Sequence, residues 1–238
     1  MKIINAGDRI MNTWVYNIPE GFVMVDTGYP NKLSNVEKRL ASHGISWSDV
    51  KYVFVTHAHD DHVGFLNELL GRCPDIKVIL NPASMTVLRR GQNSFEGGYS
   101  TLGAYLFSGV LALWGKGKHL FPPLEERFDD RLLFITDESR RALEGLLRGR
   151  ILFTPGHTGD SVSLQVGNVV FCGDAAMEGY PSSHHVTIWV ENVAQFGRSW
   201  DTLCEGGAET VYPAHGKPFD MGELAECRSF VDSVKLRS

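Results

Sequence analysis

Residues 56–62 constrain the fold and chemistry of this chain more than any other stretch. In order they are threonine, histidine, alanine, histidine, two aspartates and histidine, and the apolar run 52–55 stands directly before them. Such a run predicts a buried strand that delivers the polar side chains to one place. Burying so many polar groups without a partner would be costly, so the segment predicts a metal-binding cluster.

Three later segments have the same form, a short apolar run followed closely by a histidine or an aspartate. The runs are residues 151–154, 169–172 and 210–212. Functional sites in layered α/β folds lie outside the carboxyl ends of strands, so we expect one shared site. Its predicted metal ligands are His57, His59, Asp61, His62, His157, Asp174 and His215.

The chemistry of these side chains is that of a metal site with a catalytic role. Imidazole and carboxylate suit zinc, iron and manganese, and the chain has no C-x-x-C pair of the kind found in structural zinc centres. Seven ligands exceed the four of a closed tetrahedral site, so we expect two divalent ions that share a bridging group. Zinc is the first choice, with iron or manganese as alternatives. Taken alone, His157 or His215 would more often be a structural histidine.

The hydrophobic pattern favours a layered α/β fold, and the length of 238 residues suits one large domain or two small ones. A strand at residues 51–55, a helix at 63–70 and a strand at 76–80 form a strand–helix–strand unit. Further strands are predicted at residues 10–16, 22–25, 132–136, 151–154, 161–166, 169–172 and 210–212. Further helices are predicted at residues 31–43, 83–90, 101–114, 139–147, 192–204 and 223–234.

Composition and charge exclude some classes of partner. The formal net charge of −5 argues against nucleic acid, whose binders usually carry a basic excess. No apolar run has the length of a signal peptide core or of a membrane-spanning helix, so we expect no membrane association. The four cysteines are dispersed along the chain, which is typical of reduced thiols and of a cytoplasmic protein.

Taken together, these motifs resemble those of the metallo-β-lactamase superfamily. The matching segments, in order, are Val25-Asp26-Thr27-Gly28, His57-Ala58-His59-Asp60-Asp61-His62, Gly156-His157-Thr158, Gly173-Asp174 and Ala214-His215-Gly216. The resemblance covers about residues 10–220 and implies a four-layer αββα sandwich, spanning residues 1–238 as one domain. It also implies a helical insertion or lid at about residues 84–145.

The resemblance also assigns a role to each ligand. His57, His59 and His157 would bind the first metal ion, and Asp61, His62 and His215 would bind the second, with Asp174 bridging the two. Asp61 and Asp174 would be catalytic, Asp61 by orienting the attacking hydroxide. Asp26 would steady the site from outside the ligand shell, or else cap the turn at Gly28. Asp60 is expected to be a solvent-facing spacer.

Departures from the better-known branches narrow the expected reaction. Asp174 and the lack of an export signal argue against antibiotic hydrolysis, because β-lactamases of this superfamily generally lack the bridging aspartate. Only 23 residues follow His215, too few for the glutathione-binding domain of glyoxalase II enzymes. Met177 stands where acyl-homoserine lactonases have a tyrosine. We expect an ester, thioester or lactone hydrolase; the alternatives are a phosphodiesterase or phosphatase, and a metal-bearing effector without catalysis.

Two segments are expected to determine specificity. The apolar residues 94–114 would form a lid over a pocket for a small molecule with an apolar or acyl part. The alternatives are an ordinary packing helix and a homodimer contact. Residues 177–189 follow Asp174 directly and would form a substrate wall. Its predicted substrate contacts are Met177, Tyr180, His184 and His185, although adjacent histidines on a loop more often face solvent.

Overall fold

The computed structural model describes residues 1–113 and 116–237, and the side chains of all of these except residues 107, 110–113 and 116. Trp114 of the predicted helix 101–114 therefore lies outside the described residues. The side chains of Phe107, Leu111 and Leu113, which we expected to contribute to the lid, lie outside them as well.

The strands and helices follow most of the predicted pattern. The strands are β1 (Ile3–Asn5), β2 (Trp14–Ile18), β3 (Gly21–Val25), β4 (Val50–Phe54), β5 (Lys77–Leu80), β6 (Gly98–Tyr99), β7 (Leu132–Phe134), β8 (Arg150–Phe153), β9 (Val162–Val166), β10 (Val169–Gly173), β11 (Trp189–Val190), β12 (Thr210–Pro213) and β13 (Phe219–Asp220). The α-helices are α1 (Leu33–Ser42), α2 (Leu66–Arg72), α3 (Met85–Arg90), α4 (Leu102–Leu113), α5 (Arg140–Leu147), α6 (Val193–Glu205) and α7 (Met221–Val231).

The first compact unit comprises Met1–Asn93 and Leu120–Gly149. Its sheet has the order β1-β2-β3-β4-β5-β7, in which β3, β4, β5 and β7 run parallel. Helix α1 buries Leu33, Val36 and Leu40, at the i, i+3, i+7 spacing of one helix face, in the hydrophobic core of this unit. Because parallel strands end at the same edge of a sheet, the residues that follow β3 and β4 come together there.

The second compact unit comprises Ser94–His119 and Arg150–Ser238. Its larger sheet has the order β13-β12-β10-β9-β8, and β10 pairs in parallel with β12. Helix α6 connects these two strands and buries Phe196, Trp200 and Leu203 in the core of the unit. Asn192 caps this helix by accepting a hydrogen bond from the Gln195 N–H at 3.0 Å.

A two-stranded ribbon in the second unit was not predicted. β6 pairs antiparallel with β11, with Tyr99 opposite Trp189 and Gly98 opposite Val190. Tyr99 also exchanges both backbone hydrogen bonds with Arg237, at 2.8 and 3.0 Å. The ribbon therefore joins the segment before α4 to the end of the predicted substrate wall.

The strand predicted at residues 10–16 is wrong in its first half, since β2 begins only at Trp14. The carboxylate of Asp8 accepts hydrogen bonds from the Ile10 and Met11 N–H groups at 2.9 and 3.2 Å, which folds residues 8–11 into a turn. The helix predicted at residues 63–70 begins later, at Leu66, and ends at Arg72.

The predicted insertion at residues 84–145 divides between the two units. Residues 94–119 belong to the second unit, whereas residues 84–93 and 120–145 belong to the first. Its role as a lid stays a prediction, as does the single domain over residues 1–238. Among the described residues, no helix has both the length and the apolar character needed to cross a membrane.

Candidate metal centre

The first group of site residues lies in the loop between β4 and α2. His57, His59 and His62 are buried there, and the His62 and Val63 N–H groups donate to the His59 carbonyl at 2.9 Å, which turns the chain sharply. The rings of His57 and His62 lie with their centroids 3.9 Å apart and their planes tilted by 50°. Donor atoms of the pairs His57–His59, His57–His62 and Asp61–His62 lie within 4.8 Å of each other, close enough to share a metal ion.

Asp26 fixes the orientation of His62. It follows β3 in the left-handed backbone conformation, with φ at 58°, and its carboxylate accepts hydrogen bonds from the Thr56 N–H and hydroxyl, both at 2.7 Å. The same carboxylate lies 2.8 Å from Nδ1 of His62. Since an ionised carboxylate only accepts, Nδ1 carries the proton and Nε2 of the neutral ring presents its lone pair. This carboxylate–histidine contact is one that commonly orients metal-binding histidines.

Asp61 and Asp60, neighbours in this loop, point to different partners. An oxygen of Asp61 lies 3.7 Å from Nε2 of His62, and the Asp61 side chain is partly exposed. Asp60, which was expected to face solvent as a spacer, is only partly exposed. Its N–H donates to the side-chain oxygen of Asn93 and its carboxylate accepts from the Asn93 amide, both at 2.8 Å. Because Asn93 is buried, this reciprocal pair holds Asp60 against the protein.

The second group of site residues lies in the other unit, where a carboxylate stands between two imidazoles. One oxygen of Asp174 lies 3.6 Å from Nε2 of His157, and its other oxygen lies 3.6 Å from Nε2 of His215. These separations are longer than a hydrogen bond. All three residues are buried, so the second unit presents its own buried His/Asp cluster.

Strand pairing places Asp174 beside His215. β10 and β12 run parallel, and their register shifts between Phe171 and Gly173 so that Gly173 lies opposite Pro213. The Ala214 N–H then donates to the Gly173 carbonyl at 3.0 Å. Both acid and imidazole therefore leave their strands at the same edge, as the sequence pattern predicted.

A backbone carbonyl orients His157. Nδ1 of His157 lies 2.7 Å from the carbonyl oxygen of Trp189 in β11. A carbonyl accepts only, so Nδ1 is the protonated nitrogen and Nε2 is directed toward Asp174 with its lone pair. The Glu191 N–H donates to the Gly156 and His157 carbonyls at 2.8 and 3.2 Å, which secures the same turn from the backbone side.

The preceding residue, Gly156, allows that turn to form. Its φ of 135° is rarely adopted by residues with a side chain, and a Cβ at this position would lie 2.3 Å from the backbone nitrogen of Phe196. Helix α6 therefore passes directly over the glycine. The position of His157 therefore depends on a glycine at position 156, because only glycine leaves room for the backbone of α6.

The donor set of both clusters fits divalent metal ions. It consists of imidazole and carboxylate groups, and the histidines whose tautomer the structure defines, His62 and His157, have Nε2 as the donor atom. Such sets bind zinc, iron or manganese. The pKa of the Cys73 thiol, in the first unit, is raised by burial, and all four cysteines are free.

The predicted substrate contacts in residues 177–189 lie in different environments. Met177 is buried, whereas Tyr180 is almost fully exposed. His184 stacks on Phe230 and His185 stacks on Phe219, each pair with ring centroids 4.0 Å apart. These ring contacts tie both histidines to the C-terminal part of the second unit. Their role as substrate contacts stays a prediction.

Two determinants of the site were missed in the sequence. The Trp189 carbonyl has no sequence signature, because every residue has a backbone carbonyl. Asn93 was missed because it lies in a segment that we interpreted only as a loop. A signal for the ribbon was present in the aromatic residues Tyr99 and Trp189, whose rings pack edge to face with centroids 4.9 Å apart.

Comparison with known proteins gives one consistent answer. A sequence model described as the metallo-β-lactamase superfamily matches residues 6–215. A beta-lactamase-like protein 2 homolog of Caenorhabditis elegans is 24% identical over 212 residues, which cover 88% of this chain and 57% of that protein. A metallo-beta-lactamase domain-containing protein 1 of Xenopus laevis is 25% identical over 230 residues, which cover 86% of this chain and 71% of that protein. The chain thus spans little more than half of the first relative's length.

Solved structures show the same fold. The archaeal superfamily protein ST1585 from Sulfolobus tokodaii has a TM-score of 0.62 and 19% identity, with 96% of this chain and 84% of that chain covered. The family protein TTHA1429 from Thermus thermophilus has a TM-score of 0.66 and 19% identity, with coverage of 98% and 79%. These similarities confirm the predicted fold class, the αββα type of α/β fold. With a matching family model and a buried His/Asp cluster in each unit, the chain belongs to the metallo-β-lactamase superfamily, a family of metal-dependent hydrolases.

Proposed function

We propose that this protein is a dinuclear metal-dependent hydrolase that cleaves an ester, thioester or lactone. The observation that carries the proposal is Asp174, a buried carboxylate with one oxygen 3.6 Å from His157 and the other 3.6 Å from His215. A carboxylate that offers its two oxygens to two imidazoles is suited to bridge two ions. The β-lactamases of this superfamily generally lack such an aspartate, which supports an acyl substrate other than a β-lactam.

The proposed ligands are those expected from the family. His57, His59 and His157 would hold one ion, Asp61, His62 and His215 the other, and Asp174 would be shared. Bound ions supply a hydroxide nucleophile at neutral pH and a Lewis acid for the carbonyl oxygen. Zinc is the proposed metal, since neutral imidazole is a common zinc ligand.

The side chains of the protein perform the remaining tasks. Asp26 and the Trp189 carbonyl hold His62 and His157 in the tautomer in which Nε2 carries the lone pair that would bind a metal ion. Asp61, which is partly exposed, would hold and accept the proton of the nucleophile. An acyl or other apolar part of a small-molecule substrate would lie toward Met177, Tyr180 and the apolar helix α4. The proposed location of the protein is the cytoplasm.

The test is a panel of substrates assayed side by side with the metal content of the protein. Acyl p-nitrophenyl esters, acyl thioesters and bis-p-nitrophenyl phosphate separate acyl from phosphoryl transfer. We expect turnover of the acyl substrates, and we expect His59→Ala and Asp174→Ala to lower kcat/KM by at least about a thousandfold, as loss of an essential catalytic group does.

Matched controls exclude a general effect of substitution. His43→Ala and Asp75→Ala change the same residue types at exposed positions of the first unit, and should keep activity and metal content. Full activity in metal-depleted Asp174→Ala would contradict the mechanism. Turnover of the phosphodiester alone would favour the phosphodiesterase alternative, and a folded, metal-loaded protein inert toward the whole panel would favour a non-enzymatic effector.

A further inference from the structure

A surface cavity of about 240 Å³ lies in the first unit, between the β1–β2 loop and helix α1. The loop forms one wall, with lining residues between Ala6 and Thr13, and Thr27 and Gly28 also line the cavity. Lys32, Asn35, Val36 and Arg39 form the other wall, and their spacing of three and four residues places them on one face of the helix. Nothing in the metal chemistry described above uses this cavity.

The loop wall is held in shape by its own hydrogen bonds. The Ala6 N–H donates to the Thr13 carbonyl and the Asp8 N–H to the Met11 carbonyl, both at 2.8 Å. The side-chain oxygen of Asn5 accepts from the Gly7 and Thr13 N–H groups at 2.8 and 3.2 Å. The cavity is therefore pre-formed, which lowers the entropy cost of binding a ligand.

The charge of the cavity is opposite to that of the chain. Its lining has three cationic side chains, Lys32, Lys38 and Arg39, against a single carboxylate, Asp8, in a chain of net charge −5. The other acid close by on α1, Glu37, pairs with Arg72 at 3.3 Å. A local positive field in a concave surface attracts anions.

The one carboxylate of the lining is already engaged. Asp8 accepts from the Ile10 and Met11 N–H groups and lies 3.2 Å from Nζ of Lys32. Partial burial raises the pKa of Asp8, but these hydrogen bonds and the lysine outweigh it and hold the pKa below its ordinary value. The carboxylate is thus a fixed anion that positions Lys32, while Lys38 and Arg39 provide the remaining positive charge.

The start of α1 adds to the attraction. No side chain caps this end of the helix, and its first turn carries no acidic residue. A helix beginning of this kind favours an anion through the helix dipole, while the N–H groups of the lining residues Asn35 and Val36 donate to the Lys32 carbonyl. The apolar lining, which includes Met11 and Val36, would accept a carbon skeleton next to the anionic group.

The cavity is connected to the metal-binding loop through Thr27. The Thr27 N–H and hydroxyl both donate to the His62 carbonyl, at 2.7 and 2.9 Å. Thr27 also follows Asp26, whose carboxylate contacts the ring of His62. A group bound in the cavity would therefore lie beside Thr27, the neighbour of Asp26, which orients the proposed metal ligand His62.

We propose that this cavity binds an anionic group, a phosphate or a carboxylate, that the substrate carries at a distance from the bond that is cut. The inference rests on the proposed acyl hydrolase function and adds the charge of the substrate to it. It places recognition of the anion on Lys32, Lys38 and Arg39 and on the start of α1, apart from the residues that perform the chemistry.

The first experiment measures binding without catalysis. Inorganic phosphate, and in parallel acetate, is titrated into the protein as purified at constant ionic strength, and the amide NMR signals of Leu33 and Ser34 are followed. We expect saturable shifts with at least one anion, and about tenfold weaker binding in the double variant Lys32→Gln/Arg39→Gln, the loss typical of a charge-assisted hydrogen bond.

The matched control removes the same two charges elsewhere. Lys77→Gln/Arg141→Gln alters exposed positions in the same unit, and its affinity should equal that of the unaltered protein. Whichever anion saturates the signals identifies the recognised group. Shifts confined to residues 57–62 for both anions, or equal weakening in both double variants, would overturn the proposal.

The second experiment tests whether the substrate uses the cavity. Hydrolysis of an acyl-coenzyme A thioester, which carries phosphates, is compared with hydrolysis of the same acyl group on N-acetylcysteamine, which carries none. The ratio of the two kcat/KM values should fall about tenfold in Lys32→Gln/Arg39→Gln and stay constant in the control variant. A ratio that is equal in all three proteins would sink the role in substrate recognition.

The two experiments separate the failure of this proposal from that of the proposed function. If neither thioester is cleaved by a metal-loaded protein, the acyl hydrolase function fails, whereas the NMR titration still decides whether the cavity binds an anion.

Discussion

At the scale of single residues, the candidate site depends on partners that are not themselves ligands. Asp26 and the Trp189 carbonyl each hold Nδ1 of a histidine, at 2.8 and 2.7 Å. Such partners set the tautomer of the ring and restrict its rotation. The affinity of this chain for metal would therefore depend on these partners as well as on the ligand residues.

Replacing Asp26 by asparagine should weaken metal binding by about 10- to 100-fold, the range seen when such a partner is lost. The carboxylate accepts hydrogen bonds from Thr56 with both oxygens and from His62 with one of them. The NH₂ group of an asparagine would replace one of these oxygens and would face a donor of Thr56 or His62 instead of accepting from it. Competition with a chromophoric chelator measures the affinity. Asp75→Asn is the control, and an unaltered affinity in Asp26→Asn would show that the contact has no orienting role.

Gly156→Ala should lower the free energy of unfolding by at least about 1–3 kcal/mol, the usual cost of a residue held in a strained conformation. The added Cβ would also lie 2.3 Å from the Phe196 nitrogen in α6. Gly145→Ala is the opposite case, because a Cβ there meets nothing within 4 Å and alanine favours a helix by up to about 1 kcal/mol. Urea unfolding of both variants should give opposite signs; equal signs would contradict the steric argument.

At the scale of elements, α6 and α7 of the second unit are joined by ionic contacts. Arg228 in α7 holds both oxygens of Asp201 in α6, at 2.6 and 3.1 Å, and an oxygen of Asp232 at 2.9 Å. The hydrogen bonds from Arg228 lower the pKa of Asp201. A bidentate contact of this kind is stronger than most surface ion pairs.

Asp201→Asn should destabilise the protein by less than about 1 kcal/mol at pH 7, since the pair is partly exposed and screened by solvent. A carboxyl whose pKa is lowered by folding stabilises the protein above its unfolded pKa and loses this effect as the pH falls through the folded value. The difference from the unaltered protein should therefore shrink as the pH falls below the ordinary pKa of an aspartate, about 3.9. Asp130→Asn, an exposed change in the first unit, is the control for the loss of one surface carboxylate.

At the scale of the whole molecule, the proposed metals would be a source of stability. A ligand that binds only the native state stabilises it according to its concentration and affinity. The buried clusters around His62 and Asp174 are assembled by folding, so the unfolded chain offers no comparable site.

Removal of the metals by a chelator should therefore lower the thermal midpoint of unfolding, and zinc should restore it. An ion present at about a thousand times its dissociation constant contributes about 4 kcal/mol. Asp174→Ala should show a smaller response to zinc. Identical melting curves with chelator and with zinc would contradict the proposed centre.

Much of the fold and the site was accessible from the sequence, because the underlying signals are local. Apolar runs such as residues 52–55 predicted strands, and the spacing of Leu33, Val36 and Leu40 predicted a helix face; both predictions are confirmed. Histidines and aspartates directly after strands were expected to gather at a sheet edge, and Asp174 and His215 do so.

What escaped prediction depends on contacts between distant or chemically anonymous groups. The ribbon of β6 and β11 consists of two-residue strands separated by 89 residues of chain, 100–188, so its only sequence signal is the pair of aromatic residues Tyr99 and Trp189. The Asp8 turn replaced a predicted strand because a single carboxylate captured two N–H groups. The cavity beside α1 forms only where the β1–β2 loop and helix α1 come together, and neither segment has a sequence pattern that predicts it.

The parallel pairing of β10 with β12 has a consequence for how the protein is made. Asp174 lies at the end of β10, but the strand that brings His215 to it is separated from β10 by α6 and follows some 40 residues later. During synthesis from the N-terminus, this part of the centre has no partner until β12 has left the ribosome. If Asp174 binds a metal ion as proposed, we therefore expect it to do so late in synthesis, and a chain that ends before residue 215 should not bind metal at Asp174.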